Sequence, residues 1–163
     1  MANLVKRSYF VLDLSKLTGA EDGWFDVTKR CCLQAGRPPP LPPAKFATIL
    51  EGKSFTSKKA DLGTVSSLYA QAFEARMGHA ASLRFDELGW TDAELLALLE
   101  AIGGLAELKS LSLYANQITD KGMSAFAAAI DSGALLPGIE EIKLERNPGS
   151  DAPVQQALKR RRG

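Results

Sequence analysis

The sequence predicts an α/β protein whose second half is a short solenoid of three strand-helix repeats with a parallel sheet, preceded by a mixed α/β capping region. The first observation behind this prediction is the segment LKSLSLYANQITDKG at residues 108–122. There Leu111 and Leu113 alternate as in a half-buried strand, and Asn116 follows where an amide side chain bonds the backbone of a turn. The second observation is that the same pattern occurs 28 residues earlier and 31 residues later.

The three copies match at the positions that would form the strand and the turn of each repeat. The residues that match Leu111, Leu113, Asn116 and Ile118 are Leu83, Phe85, Leu88 and Trp90 in the earlier copy and Ile142, Leu144, Asn147 and Gly149 in the later copy. A Thr-Asp or Ser-Asp pair follows each copy, and such a pair is typical of a helix start. These patterns predict strands near residues 82–85, 110–113 and 141–144 and helices near residues 92–102, 120–131 and 151–161.

The spacing L-x-x-L-x-L-x-x-N-x-I at residues 108–118 resembles the leucine-rich repeat consensus. The repeat length and the Ile-Thr-Asp-x-Gly step are similar to the ribonuclease-inhibitor-like subclass of that family. The resemblance covers residues 80–163, and it implies that a full helix follows each strand and that the concave face of the sheet binds protein. One departure is that Leu88 occupies the position of the turn asparagine, so an asparagine ladder is predicted through Asn116 and Asn147 only.

The first half of the chain is predicted to provide the capping region. Residues 1–36 have the pattern of a strand followed by a helix. Residues 44–79 have the pattern of a helical cap, with one helix at residues 44–51 and a second that begins at Asp61 or Thr64. The predicted buried face of this second helix consists of Val65, Leu68, Tyr69, Ala72, Phe73 and Met77. Because a repeat stack needs a polar-faced cap, we expect this region to shield the end of the first repeat.

A proline-rich segment, RPPPLPP at residues 37–43, connects these two parts. Its five prolines favour an extended polyproline II path, because each proline fixes φ and removes a backbone donor. We interpret the segment as a stiff connector. The alternative is a ligand for an aromatic-lined groove of the kind that takes P-x-x-P segments, with Arg37 as the flanking cation.

Composition and charge are those of an ordinary globular protein. The chain has 163 residues, of which 45% are hydrophobic and 24% are charged, and its net charge is +1. No apolar run approaches the ~20 residues that span a bilayer, so no transmembrane segment is predicted. The adjacent pair Cys31 and Cys32 is not expected to close a disulfide, which favours a reducing compartment. We expect a soluble, intracellular and most simply cytoplasmic protein, with protein partners and no nucleic-acid partner.

Residues that carry catalysis or bind cofactors are sparse. The sequence has no G-x-S-x-G, no phosphate-binding glycine loop and no H-E-x-x-H motif. Its one histidine, His79, lies at a predicted helix-strand junction and is interpreted as a cap or surface residue. Two thiols and one distant histidine do not complete a zinc site. We predict no enzymatic activity, no cofactor and no metal, and we interpret the basic residues 159–162 as a solvated helix end.

The expected functional surface is the concave face of the sheet, where the side chains between the inward leucines would form three aligned rows. Those rows are Ser82, Arg84, Asp86 and Glu87; Ser110, Ser112, Tyr114 and Ala115; and Glu141, Lys143, Glu145 and Arg146. The candidate protein-binding residues among them are Arg84, Asp86, Ser112, Tyr114, Glu141, Lys143 and Glu145. We expect Tyr114 to act as an amphipathic anchor and the carboxylates to accept Lys or Arg from a partner.

These features predict a non-catalytic protein-protein interaction module that acts as an adaptor or as a small structural subunit of a larger assembly. The alternative is a leucine-rich repeat regulatory or inhibitor module that binds one enzyme through its concave face. A surface only three strands wide buries little area by itself, so an assembly subunit would need contacts from the N-terminal half as well.

Overall fold

The computed structural model describes residues 38–55, 58–133 and 135–162. The predicted strand and helix within residues 1–36, together with Cys31 and Cys32, lie outside the described residues. Five helices and three strands occupy the described part of the chain. They are α1 (Pro43–Glu51), α2 (Lys58–Phe73) with a π-helical turn (Glu74–Gly78), β1 (Ser82–Arg84), α3 (Asp92–Ile102), β2 (Ser110–Ser112), α4 (Asp120–Asp131), β3 (Glu141–Lys143) and α5 (Ala152–Arg162).

The strands form one parallel sheet in the order β1-β2-β3, and within the described residues this sheet is open. Leu83, Leu111 and Ile142 lie opposite one another in neighbouring strands. The parallel pairing follows from the helix that crosses back after each strand, because parallel neighbours need a long connection. The α/β class with a parallel sheet is confirmed, and the strands and helices of the three units lie within one residue of the predicted bounds.

Alternate apolar residues of the strands point into a core between the sheet and the helices. Leu111 and Leu113 of the second unit are fully buried, as are Leu95 and Leu98 of α3 and Phe126 of α4. Burying one such side chain contributes about 1.5–3 kcal/mol to folding. The positions of the apolar residues therefore determine which side of each strand and helix faces the core.

Two asparagines join the turns of neighbouring units. Asn116 Oδ1 accepts the backbone N–H groups of Leu88 and Trp90 at 3.0 and 3.1 Å. Asn116 Nδ2 donates to two backbone carbonyls at 2.8 and 3.0 Å. Asn147 makes matching bonds one unit further along the chain. The predicted ladder through Asn116 and Asn147 is confirmed, and Leu88 contributes its backbone N–H to it.

The predicted helix-start residues act as caps. Thr91 and Glu94 form a capping box, in which Glu94 accepts the backbone N–H of Thr91 at 2.8 Å. The hydroxyl of Thr119 caps α4 by accepting a backbone N–H of the first turn. Helix α5, the helix of the third unit, begins one residue later in its unit than α3 and α4 do, after Asp151. Pro153 lies in its first turn, where a missing N–H costs no helical hydrogen bond.

Carboxylates at the starts of α3 and α4 bind the next unit. Asp92 accepts the backbone N–H of Thr119 at 2.8 Å and its hydroxyl at 2.6 Å. Asp120 likewise accepts the backbone N–H of Ser150 at 2.8 Å. The hydrogen bond from the Thr119 hydroxyl, and then the one from its backbone N–H, hold the pKa of Asp92 below its ordinary value.

Replacing Asp92 by alanine is expected to lower the free energy of unfolding by about 1 kcal/mol at neutral pH. Because the pKa of Asp92 is lower in the folded than in the unfolded chain, its contribution is present above the unfolded value of about 3.9. That contribution is lost as the pH falls through the lower folded value. Urea unfolding of Asp92→Ala and of the unsubstituted chain, at neutral and at acid pH, measures the difference.

The control for this prediction is Glu145→Ala, since the Glu145 side chain is exposed and no ion pair within the described residues involves it. We expect its effect on stability to be small at either pH. An Asp92→Ala deficit that stays constant from neutral to acid pH would contradict a role for the charge of the carboxylate.

The capping region packs on the first unit through the end of α2. Met77 of the π-helical turn is buried in the core, and Phe73 packs beside it. On the surface, Lys45 of α1 pairs with Glu100 of α3 at 2.7 Å. Helix α1 lies within one residue of its predicted bounds, while the division of the chain into domains stays a prediction.

Two predictions for α2 are wrong. Both expected cap residues, Asp61 and Thr64, lie inside the helix, which begins earlier. Leu68, expected on the buried face, is 56% exposed. The physical reason is that α2 contacts α1 through Tyr69, whose ring stacks on that of Phe46 with 3.8 Å between centroids. Leu68 precedes Tyr69 by one residue and therefore points to another side of the helix.

Candidate protein-binding surface

The polar face of the sheet is the side that faces away from the helices. Its residues are Ser82, Arg84, Asp86 and Glu87 from the first unit; Ser110, Ser112, Tyr114 and Ala115 from the second; and Glu141, Lys143, Glu145 and Arg146 from the third. The strand register places Arg84, Ser112 and Lys143 side by side. The structure therefore brings the seven predicted site residues onto one face.

Asp86 is the residue whose environment differs most from the expectation. Its carboxylate is buried and accepts the guanidinium of Arg84 at 2.9 and 3.2 Å. The hydroxyl of Ser112 and the backbone N–H of Tyr114 donate to its other oxygen. With both oxygens occupied by its own chain, Asp86 does not present a carboxylate to a partner. It holds Arg84 in place, and Ser112 is buried beside it.

Tyr114 occupies the middle of the polar face and is half-buried. The guanidinium of Arg146 lies over its ring, 5.4 Å from the centroid. Such a cation-π contact at an exposed site contributes about 0.5–1 kcal/mol and restricts both side chains. Arg146 is in the third predicted row but outside the seven candidate residues. The alignment of the repeats places Arg146 opposite Ala115 and next to Tyr114, and this placement could have identified Arg146 as a candidate binding residue.

The third unit supplies an exposed row of both charges. Lys143 Nζ lies 3.4 Å from a carboxylate oxygen of Glu141, and the other oxygen accepts the hydroxyl of Ser110 at 3.1 Å. Glu145 is exposed, and no ion pair within the described residues involves it. This row therefore offers a partner one carboxylate without an ion pair and one exposed ammonium group.

The central strand carries mostly small side chains between the charged first and third rows, namely Ser110, Ser112 and Ala115 beside Tyr114. Ser112 is buried, and the hydroxyl of Ser110 donates to Glu141 of the third row. Since neighbouring strands lie about 4.8 Å apart, the two outer strands are about 10 Å apart. The polar face is therefore wide enough for one extended chain or one side of a helix.

The residues that end the polar face have the same unusual backbone in every unit. Glu87, Ala115 and Arg146 have φ values of 57°, 53° and 60°. A non-glycine residue in this left-handed region costs about 1–2 kcal/mol. Backbone hydrogen bonds of 2.9 Å from Glu87 and Ala115 to the next unit offset part of that cost. The polar face thus ends in turns that are fixed by neighbouring units.

His79 follows the π-helical turn and is exposed, which confirms its interpretation as a cap or surface residue. Its Nδ1 lies 3.1 Å from Glu107, and Glu74 is 3.9 Å from the other ring nitrogen. The hydrogen bond with Glu107 and the nearby charges of Glu107 and Glu74 raise the pKa of His79. Within the described residues, no group of three or more His, Cys, Asp or Glu side chains is placed to hold a metal ion.

The basic residues at the end of α5 bind their own chain in part. Arg160 forms a two-pronged ion pair with Asp131 at 2.6 and 3.1 Å. Arg161 donates to the backbone carbonyls of Leu135 and Leu136 at 2.8 and 2.9 Å. Arg160 therefore binds the end of α4, and Arg161 binds the loop that follows it. Lys159, Arg160 and Arg162 are exposed, as expected of a solvated helix end, and Arg161 is half-buried.

The fold and the polar face define a class of protein by geometry: an α/β protein of three strand-turn-helix units with an exposed, charged sheet face. Comparison with protein-family models, curated proteins and solved structures finds no match for this chain. None of the helices in the described part of the chain has the length and apolar character that a membrane crossing requires.

Proposed function

We propose that the protein is a short leucine-rich repeat protein of the ribonuclease-inhibitor-like kind, and that the polar face of its solenoid binds another protein without catalysis. Contacts between neighbouring units support this proposal. The strands keep one register, and Asn116, Asn147 and Asp92 each bond an adjacent unit. Contacts of this nearest-neighbour kind are typical of repeat stacks.

The single observation that carries the binding function is that two side chains of the polar face are already ordered. Arg84 is held by Asp86, and Tyr114 is held by Arg146 before any partner arrives. Ordering a long side chain during association costs about 0.5–1.5 kcal/mol, so side chains that are already ordered favour binding. Tyrosine and arginine are also the residue types that dominate binding energies at protein interfaces.

The charges of the two outer rows select the partner. Arg84 and Glu87 are exposed in the first row, and Glu141, Lys143 and Glu145 are exposed in the third. A segment with side chains of both signs matches this arrangement, and a segment of one sign meets like charge on at least one row. We therefore propose a protein segment of mixed charge, and not a polyanion such as nucleic acid, as the occupant.

The adaptor or assembly-subunit function is favoured over the regulatory alternative because a polar face only three strands wide buries little area by itself. A subunit of a larger assembly would add contacts from other parts of the chain. An intracellular, cytoplasmic location completes the proposal, and the adjacent Cys31 and Cys32 support it.

The proposal predicts that Tyr114→Ala combined with Lys143→Glu weakens partner binding about thirtyfold, which is the loss of one binding hot spot. The partner is first recovered by affinity purification of the tagged chain from its own cell extract, with mass spectrometry, and is then titrated against both forms. Lys143→Glu is preferable to Arg84→Glu, since the latter places a second carboxylate beside the buried Asp86 and threatens folding.

The matched control is Lys53→Glu, an exposed charge reversal outside the polar face, which is expected to leave binding unchanged. If the unsubstituted chain recovers several partners and the double variant loses only one of them, the result supports an assembly subunit. If the unsubstituted chain recovers a single partner and the double variant loses it completely, the result supports the regulatory alternative. Unchanged binding of every partner would contradict a role for the polar face.

A further inference from the structure

The proline-rich segment at residues 38–43 lies on α2 through its one non-proline residue. Leu41 has the only backbone N–H in this run, PPPLPP. That N–H donates to the hydroxyl of Tyr69 at 3.1 Å, and the same hydroxyl donates to the carbonyl of Leu41 at 2.8 Å. One tyrosine oxygen therefore occupies both backbone groups of Leu41.

The segment enters α1 through a residue with polyproline II backbone angles. Pro42 has φ −53° and ψ 140°, close to the polyproline II values. In this helix of three residues per turn, Pro39 and Pro42 share one ridge, which is the P-x-x-P arrangement. Pro39 is buried within the protein and Pro42 is half-buried, so part of this ridge is covered where the segment now lies.

Tyr69, which bonds the segment, belongs to an aromatic cluster. Its ring stacks on Phe46 with an interplanar angle of 18° and lies 6.2 Å from the ring of Phe73. Domains that bind polyproline segments use aromatic-lined grooves that exploit the preformed helix. A tyrosine hydroxyl thus bonds the backbone of the segment inside its own protein.

We propose that residues 38–43 are a ligand for an SH3-type domain and that Tyr69 keeps this ligand in an autoinhibited position. The groove of such a domain would compete with Tyr69 for the backbone groups of Leu41 and would need Pro39, which is now buried, to be exposed. A ligand that is released only part of the time binds with an affinity reduced by the released fraction. Release from Tyr69 is thus the step that controls binding.

The test compares three ligands for a panel of purified SH3 domains: the synthetic peptide of residues 37–43, the full chain and the full chain with Tyr69→Phe. At least one domain is expected to bind the peptide about tenfold more tightly than the full chain, a difference of about 1.4 kcal/mol. Tyr69→Phe keeps the ring on Phe46 and removes the hydroxyl. It is expected to recover most of the tenfold difference.

Two controls accompany this test. Ser67→Ala removes an exposed hydroxyl from the same helix and is expected to leave the affinity of the full chain unchanged. Hydrogen exchange at the Leu41 amide reports the contact itself, and it is expected to be slow in the unsubstituted chain and fast in Tyr69→Phe. Equal affinity of peptide and full chain, no effect of Tyr69→Phe, or no SH3 domain that binds the peptide would each overturn the proposal.

Discussion

Asn116→Ala is expected to lower the free energy of unfolding by about 4 kcal/mol, the largest effect of any polar substitution in the repeats. The side chain of Asn116 is fully buried and makes four hydrogen bonds of 3.1 Å or less to backbone groups. Alanine removes the bond that Asn116 makes with each of these groups. The Leu113 carbonyl keeps its bond from Asn147, and each group left unsatisfied in the interior costs about 1–3 kcal/mol. Urea unfolding followed by circular dichroism measures the loss.

Two related variants make this prediction sharper. Asn147 makes matching bonds but is only half-buried, so water can replace part of what alanine removes, and we expect a loss of about 2 kcal/mol. Gln117→Ala changes an exposed neighbour of Asn116 and is expected to alter stability by less than about 0.5 kcal/mol. If Asn116→Ala behaved like Gln117→Ala, the ladder would not stabilise the repeats.

Gly149→Ala is expected to destabilise the protein by about 3 kcal/mol. A Cβ at this position would lie 2.6 Å from the backbone nitrogen of Asp120 and 2.7 Å from the carbonyl oxygen of Thr119. Backbone atoms cannot rotate away as a flexible side chain can, so the second and third units must separate. That movement also strains the hydrogen bond of 2.8 Å from the Gly149 N–H to Ile118.

Gly104→Ala is the matched control for this substitution. A Cβ on Gly104 would meet nothing within 4 Å, and its φ is not positive. Alanine there is expected to leave stability unchanged or to raise it by up to about 1 kcal/mol, because it reduces the freedom of the unfolded chain. Similar unfolding midpoints for Gly149→Ala and Gly104→Ala would contradict a tight contact between the second and third units.

The repeats were predictable because their signals are local. Leu111 and Leu113 reveal a strand by a spacing of two residues, and Thr91 with Glu94 reveals a helix start within four residues. The capping helices were less predictable. Leu68 satisfies the helical spacing of a buried face but is exposed, because Tyr69 makes the contact with α1.

The candidate site was also predictable only in part. The sequence was sufficient to place Arg84, Tyr114 and Lys143 on one face, since alternation and equal repeat length determine that arrangement. It was not sufficient to show that Asp86 is occupied by Arg84 and Ser112. Burial of a carboxylate depends on the side chains that surround it in three dimensions, and one of these is 26 residues away in the chain.

The sequence by itself determined the three strand-turn-helix units, their parallel order and the asparagine ladder, because apolar spacing and helix caps act over a few residues. Only the tertiary structure decided which polar groups remain available to a partner. Asp86 is enclosed by its neighbours, and Leu41 bonds Tyr69 across 28 residues of chain. Such pairings depend on how separate elements pack, and hydrogen bonds form only where packing brings donor and acceptor within about 3 Å.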